Sequence, residues 1–390
     1  MLPALAPLED LELSPQLSGA EGQNRGAGRA QIAAKDDRSA VLAWLARFAD
    51  SKATLDNYRK EAERFLLWCV LQHRRALSDL THEDILLYQL FLKNPQPAER
   101  WVMAPGQKAP RTSSAWRPFA GPLSDSSQRQ AMSILNGLFN WLVEAGYLAG
   151  NPLALQRRRR KRVASRVSRF LPHQHWKAVK STILALPVDT PRKADRAARA
   201  RWLFSLLYIG GLRVSEACSG RMGDFLVRRS PDGSDRWWLE ATGKGDKTRL
   251  VPATSELMGE LKRYREAMNL KPLPSSGEDL PLILPLIGSK SKPMARTAIH
   301  EVVKRTMRAA AEELRARGPE FEDAAAHIGQ ASTHWLRHTA ASHQIGATGV
   351  AGVRDNLGHD SISTSNLYVH TEDDARHDAT ELGHRVSWGD

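Results

Sequence analysis

The sequence is poor in cysteine, in long apolar runs and in acid. Its two cysteines, Cys69 and Cys218, lie far apart in apolar segments of a 390-residue chain. That excludes a disulfide framework and predicts two buried thiols in a reducing compartment. No stretch approaches the roughly 18 consecutive apolar residues of a transmembrane helix. The start, Met1-Leu-Pro-Ala-Leu-Ala-Pro followed by Glu9, Asp10 and Glu12, has no basic region leading into an apolar core, so no signal peptide is expected. Acidic residues number 43 against 56 basic ones, a net charge of +13. Such an excess points to a polyanionic partner, nucleic acid or an anionic membrane surface. The densest basic run is not on an amphipathic helix, which disfavours the membrane. Composition thus predicts a cytoplasmic protein that binds nucleic acid.

What is present divides the chain in two. Residues 1–38, rich in Gly, Ala, Pro, Ser and Gln with no apolar period, read as a flexible tail. Residues 39–155 read as a bundle of four or five helices. Val41, Leu45 and Phe48, then Tyr58, Ala62, Phe65 and Cys69, recur at helical spacing. Thr81-His-Glu-Asp84 caps a third helix, and Ser124 or Ser126 opens another that closes at Gly146. Inside this block, residues 94–123 hold six prolines, Trp101, Trp116 and several basic residues. So long a loop is functional or disordered as a rule. Contact with DNA or a partner, and a surface insertion without a role, are both open.

A basic run then forms the boundary, over 156–169: Arg157, Arg158, Arg159, Arg160, Lys161, Arg162, Arg166 and Arg169, with no acid among them. Self-repulsion keeps such a run extended unless phosphates neutralise it, so tracking of a DNA backbone is expected. From 170 onward, helical periods cover 172–186, 196–208, 254–268 and 296–316. Short strands are expected near 224–227, 236–241 and 248–251, with turns at Asp232-Gly233 and Gly243-Lys244-Gly245-Asp246. The fold class is therefore mainly α with a small antiparallel β-sheet.

Five local patterns follow one another in this second block. They are Gly211-Leu-Arg213-Val-Ser-Glu216; Gly243-Lys244-Gly245 through Arg249; His334-Trp-Leu-Arg337-His338; Leu357-Gly-His359; and Ser361 through Tyr368-Val-His370. Taken singly, each has a plain reading. Arg213 and Glu216 could be a surface helix pair, Gly-Lys-Gly a hairpin turn, His359 a helix cap and Tyr368 a core residue. His334 and His338 are spaced like a zinc-protease pair, but Trp335 stands where that motif needs its Glu. Taken together they meet the demands of transesterification at a phosphodiester. Two arginines can clamp the nonbridging oxygens, and histidines can add hydrogen bonds or accept a proton. A lysine can protonate the departing sugar hydroxyl. The phenol, with a pKa near 10, needs such an electropositive setting to act as a nucleophile. No metal or other cofactor is required.

At these residues the sequence resembles the tyrosine recombinase (phage integrase) family. The resemblance covers about 170–370, with a weaker likeness of 39–155 to the family's helical, SAM-like core-binding domain. It implies that Arg213 and Arg337 clamp the phosphate, with Glu216 supporting. Lys244 is then the general acid, His334 the acid/base partner of the tyrosine, His359 a phosphate hydrogen-bond donor and Tyr368 the nucleophile. It also implies a DNA strand transferase, independent of ATP and metal, that recognises a recombination site in duplex DNA. Such an enzyme is a monomer or dimer when free and a tetramer on DNA. It passes through 3′-phosphotyrosines and a Holliday junction, sometimes with accessory DNA-bending or recombinase partners. Residues 371–390, rich in acid, would dock on a neighbouring protomer. The insertion at 94–123 favours a recombinase of a mobile element in a bacterial cytoplasm, acting on nucleoid-associated DNA. A Xer-like dimer resolvase, a type IB topoisomerase and a catalytically inactive DNA-binding accessory protein are the rival readings.

Overall fold

The computed structural model describes residues 5–155, 169–231, 233–243 and 247–358. Contacts divide the chain into two compact units, Met1–Arg160 and Lys161–Asp390.

The first unit is helical: α1 (Asp37–Ala46), α2 (Lys52–Leu67), α3 (His82–Lys93), the single turn α4 (Ala98–Trp101) and α5 (Asp125–Glu144). Side chains and backbone exchange hydrogen bonds at the starts of α1, α3 and α5. Asp36 and Ser39 each accept from the other's backbone N–H ahead of α1, and the Thr81 N–H donates to Asp84 at 2.8 Å ahead of α3. Ser124, rather than Ser126, opens α5. Phe65, Tyr88, Leu135, Leu138 and Phe139 fill the core.

Two expectations change here. Residues 5–36 are a strap against this unit, not a flexible tail. Leu8 and Leu11 are buried, and backbone bonds run from Asn24 N to Ser78 O, Gly26 N to Tyr147 O and Gln31 N to Ala145 O at 2.8, 3.0 and 2.8 Å. Its glycines permit the close approach, since a Cβ at Gly26 would stand 2.3 Å from the Gly146 carbonyl oxygen. The 94–123 stretch is likewise packed: Trp101 and Phe119 are buried. Arg111 pairs with Glu63 of α2 and with Glu9 of the strap. Trp101, at least, serves the core.

The second unit contains α6 (His173–Leu184), α7 (Pro191–Tyr208), α8 (Val214–Ser219), α9 (Ser255–Ala267), α10 (Arg296–Arg315), α11 (Glu322–Gln330) and α12 (Thr333–Leu357). Strands β1 (Phe225–Arg229), β2 (Asp235–Thr242) and β3 (Thr248–Pro252) form an antiparallel meander in that order. Facing residues Phe225, Leu239 and Val251 are in register and buried, so one sheet face joins the helical core. Helix α7 starts before the apolar period does. Thr190 accepts from Lys193 N at the cap and Pro191 takes the first helical position. Helix α12 is interrupted at Gly349, whose φ is 67°. Both cysteines are free thiols; Cys69 is buried, but Cys218 is only half-buried. Among the described residues no helix is long and apolar enough to cross a membrane.

Candidate active site

The site forms where the α7–α8 turn meets the two ends of α12. The chain leaving α7 turns at Gly211, which has a φ of 57°. A side chain there would also place its Cβ 2.4 Å from Leu357 Cδ2, so glycine is required twice over. Arg213 follows at the cap of α8. Its backbone N–H donates to Glu216 Oε2 and its Nη1 to Oε1, both at 2.8 Å. Glu216 is thus buried as an acceptor of arginine bonds. Burial pulls its pKa upward, but hydrogen bonds and charge from Arg249, then from Arg213, overcome this and hold it below the usual glutamate value.

Arg249, on β3, donates Nη1 and Nη2 to the two oxygens of Glu216 at 2.7 and 2.8 Å and its Nε to the Asn356 carbonyl at 2.9 Å. Arg337, near the start of α12, is 4% exposed. It donates to the carbonyls of Gly211 and Leu357. Arg213 Nη2 donates to the Gly358 carbonyl at 3.0 Å. Three guanidiniums therefore meet three successive carbonyls, 356, 357 and 358, at the C-terminal end of α12. That end carries unsatisfied carbonyls and the negative pole of the helix dipole, so it attracts cations.

The first turns of α12 add two imidazoles. His334 and His338 stand one helical turn apart with ring centroids 4.2 Å apart and planes at 76°. His334 is exposed as a residue, yet its ring is partly desolvated. That desolvation, then the charges of Arg337, Arg169 and Arg213, lower its pKa below the ordinary imidazole value. Arg169 itself is exposed. The N-terminal side of the unit is tied to the same helix, because Leu171 N donates to Thr339 Oγ1 at 2.9 Å.

Arg213, Glu216, His334 and Arg337 are thus brought to one end of the unit. Lys244, His359, Tyr368 and the run Arg157, Arg158, Arg159, Arg160, Lys161, Arg162 and Arg166 lie outside the described residues. So does the segment 371–390. The residues directly before Lys244 and His359 are in place. A Cβ on Gly243 would stand 3.1 Å from Glu216 Oε1 and 3.5 Å from Arg213 Nη1, and Gly243 N closes the hairpin on the Lys247 carbonyl at 2.9 Å. Gly358, left-handed with φ 60°, ends α12 immediately before His359. Arg249 is the site residue to which sequence reasoning gave no role. Its signal was an arginine in a short strand, two residues from the buried Val251. Among the described residues no three His, Cys, Asp or Glu side chains converge as metal ligands would.

Comparison with known proteins points to one family. Residues 183–375 match the phage integrase family. A tyrosine recombinase XerC of Roseiflexus sp. (strain RS-1) is 24% identical over 336 residues, 85% of this chain and 88% of that protein. A tyrosine recombinase XerD of Neisseria meningitidis serogroup B (strain MC58) is 29% identical over 336 residues, covering 86% and 92%. Among solved structures, a XerH site-specific recombinase in a post-cleavage complex with its palindromic difH substrate shares the fold at a TM-score of 0.58. It is 16% identical, with 88% of this chain and 84% of that one covered.

Proposed function

Because the chain belongs to the tyrosine recombinase (phage integrase) family, and is a DNA strand transferase of that class, we propose that it cuts and rejoins duplex DNA at a specific site through Tyr368. The observation that carries this reading is the meeting of Arg213, Arg337 and His334 beside Gly243 and Gly358, the residues that directly precede Lys244 and His359 in the chain.

In the cleavage step the Tyr368 oxygen attacks phosphorus, a 3′-phosphotyrosine bond forms, and the bond to the 5′ oxygen breaks. The phenolic proton passes to His334, whose lowered pKa keeps the ring neutral and able to accept it. Lys244 returns a proton to the departing 5′ oxygen, giving a free hydroxyl. Arg213 and Arg337, with His359, offset the charge that grows on the nonbridging oxygens. Ligation reverses these transfers with a 5′-hydroxyl of the partner duplex, and the phosphotyrosine conserves the energy of the broken bond. Neither ATP nor a metal ion has a part in this sequence.

Four protomers on two sites, acting in pairs through a Holliday junction, complete the exchange, with 371–390 docking on a neighbour. The basic run over 157–169 follows the DNA backbone. We assign the enzyme to a mobile element, acting in the cytoplasm on nucleoid-associated DNA, on the strength of the 94–123 stretch. The XerC and XerD names of its relatives favour dimer resolution as the second reading.

The test is a suicide-substrate assay. Wild type and Tyr368→Phe are incubated without metal with nicked duplexes from DNA flanking the gene and resolved on a denaturing gel. A protease-sensitive slow band with wild type alone is expected. The same band in both proteins places the nucleophile elsewhere. Binding without a band in either returns the chain to an accessory DNA-binding role. Relaxation of supercoiled plasmid lacking any target site would favour a topoisomerase.

A further inference from the structure

Glu216 is a carboxylate that Arg213 and Arg249 share, and Arg249 holds it more fully than the Arg213 side chain does. Arg249 reaches both oxygens with two guanidinium nitrogens, whereas the Arg213 side chain reaches one. A fork-to-fork pair fixes the plane of the carboxylate as well as its position. That plane in turn sets where Arg213 Nη1 can lie. The third nitrogen of Arg249 caps Asn356, the first of the three carbonyls that end α12. Its stem also packs on the residue before His359, since a Cβ at Gly358 would stand 2.7 Å from Arg249 Cδ. Along the chain, Arg249 is two residues beyond Lys247, whose carbonyl closes the β2–β3 hairpin on Gly243. One side chain therefore touches the acid that holds Arg213, the helix end that leads to His359 and, through β3, the base of the turn that carries Lys244.

We propose that Arg249 is a positioning residue for strand cleavage: it orients Arg213 through Glu216 and ties the β2–β3 hairpin to the end of α12. In this role it acts through Arg213 and the hairpin, not on the phosphate itself. The inference rests on the cleavage function proposed above. A lysine cannot replace it, because a point charge cannot engage both carboxylate oxygens and the Asn356 carbonyl at once.

The experiment uses the full-length chain on the nicked duplex at saturating protein. Arg249→Lys, which keeps the charge, and Arg249→Gln are compared with wild type, Tyr368→Phe, Arg213→Lys and the double variant Arg213→Lys with Arg249→Gln. We expect both Arg249 variants to bind DNA as wild type does and to form adduct about a hundredfold more slowly, the scale of a slightly misplaced catalytic group. The double variant should fall short of the product of the two single losses, because part of the Arg249 effect passes through Arg213. Arg249→Lys cleaving within twofold of wild type overturns the proposal, as do single losses that multiply in the double variant. If Arg249→Gln fails to fold, Arg249→Lys decides. If wild type forms no adduct, the cleavage reading fails separately. Amide exchange at the C-terminal end of α12 then tests the brace without DNA: faster exchange in Arg249→Lys supports it, and unchanged exchange overturns it.

Discussion

At the scale of single residues, the site concentrates positive charge and then places a histidine inside that field. Partial desolvation of the His334 ring comes first, and the charges of Arg337, Arg169 and Arg213 work in the same direction. Each disfavours the imidazolium, so the ring of the DNA-free protein stays neutral to lower pH than a free imidazole. A proton acceptor for Tyr368 has to be neutral, so this shift readies the site before DNA arrives. A bound phosphate reverses part of the field and raises the pKa again, which lets the same ring hold the proton it has taken. NMR titration of the DNA-free protein, with His334→Asn to assign the resonance, should put the midpoint below the reference value of 6.5. On adding a duplex to Tyr368→Phe, the midpoint should rise. A midpoint at or above 6.5 without DNA would remove the argument that the arginines tune this base.

At the scale of elements, what was legible in the sequence was periodicity and punctuation. The long helices after Thr81, Pro172, Thr254 and Ala295 and the three-strand meander follow from apolar spacing, caps and glycine turns. The site boxes were legible because the chemistry needs particular residue types in turns and at helix ends. Two kinds of feature were not legible. The strap over 5–36 has no apolar period because much of it is held by backbone hydrogen bonds and by glycines that permit close approach, neither of which leaves a pattern. Arg249 reads as one more strand residue until Glu216 is seen opposite it, since the pair is 33 positions apart in sequence. The strap has a measurable consequence. Leu8 is fully buried, and its backbone N–H donates to Glu63 at 3.0 Å. Leu8→Ala should therefore cost the N-terminal unit about 2–5 kcal/mol, the range for a buried leucine truncation. Hydrogen exchange across a urea series on the whole chain should show lost protection in α1 and α2 with α10 unchanged. Unaltered exchange in α1 and α2 would restore the flexible-tail reading.

At the scale of the whole molecule, charge is distributed unevenly along the chain. Of the net +13, eight positive charges fall between Arg157 and Arg169, where the sequence has no acid. Several cations described in the second unit are committed to carboxylates: Arg201 to Glu260, Arg265 to Glu278, Arg249 to Glu216. A charge already paired releases few counterions when DNA binds, while a basic run with no acid beside it in the sequence releases about one for each phosphate it meets. The run should therefore dominate the salt dependence of binding, whereas the site arginines should govern the chemical step. Replacing Arg157, Arg158, Arg159 and Arg160 with Gln should flatten the slope of log K against log salt by about three to four, at roughly 0.9 per phosphate contact on B-DNA. Because backbone contacts carry no sequence information, the ratio of affinities for target and random duplex should stay the same. Adduct formation at saturating protein should also hold, since the proposed cleavage step gives those four residues no part. Fluorescence anisotropy on both duplexes across a salt series measures slope and ratio together. An unchanged slope would place the backbone contacts elsewhere, and a collapsed ratio would make the run a reader of sequence or groove shape.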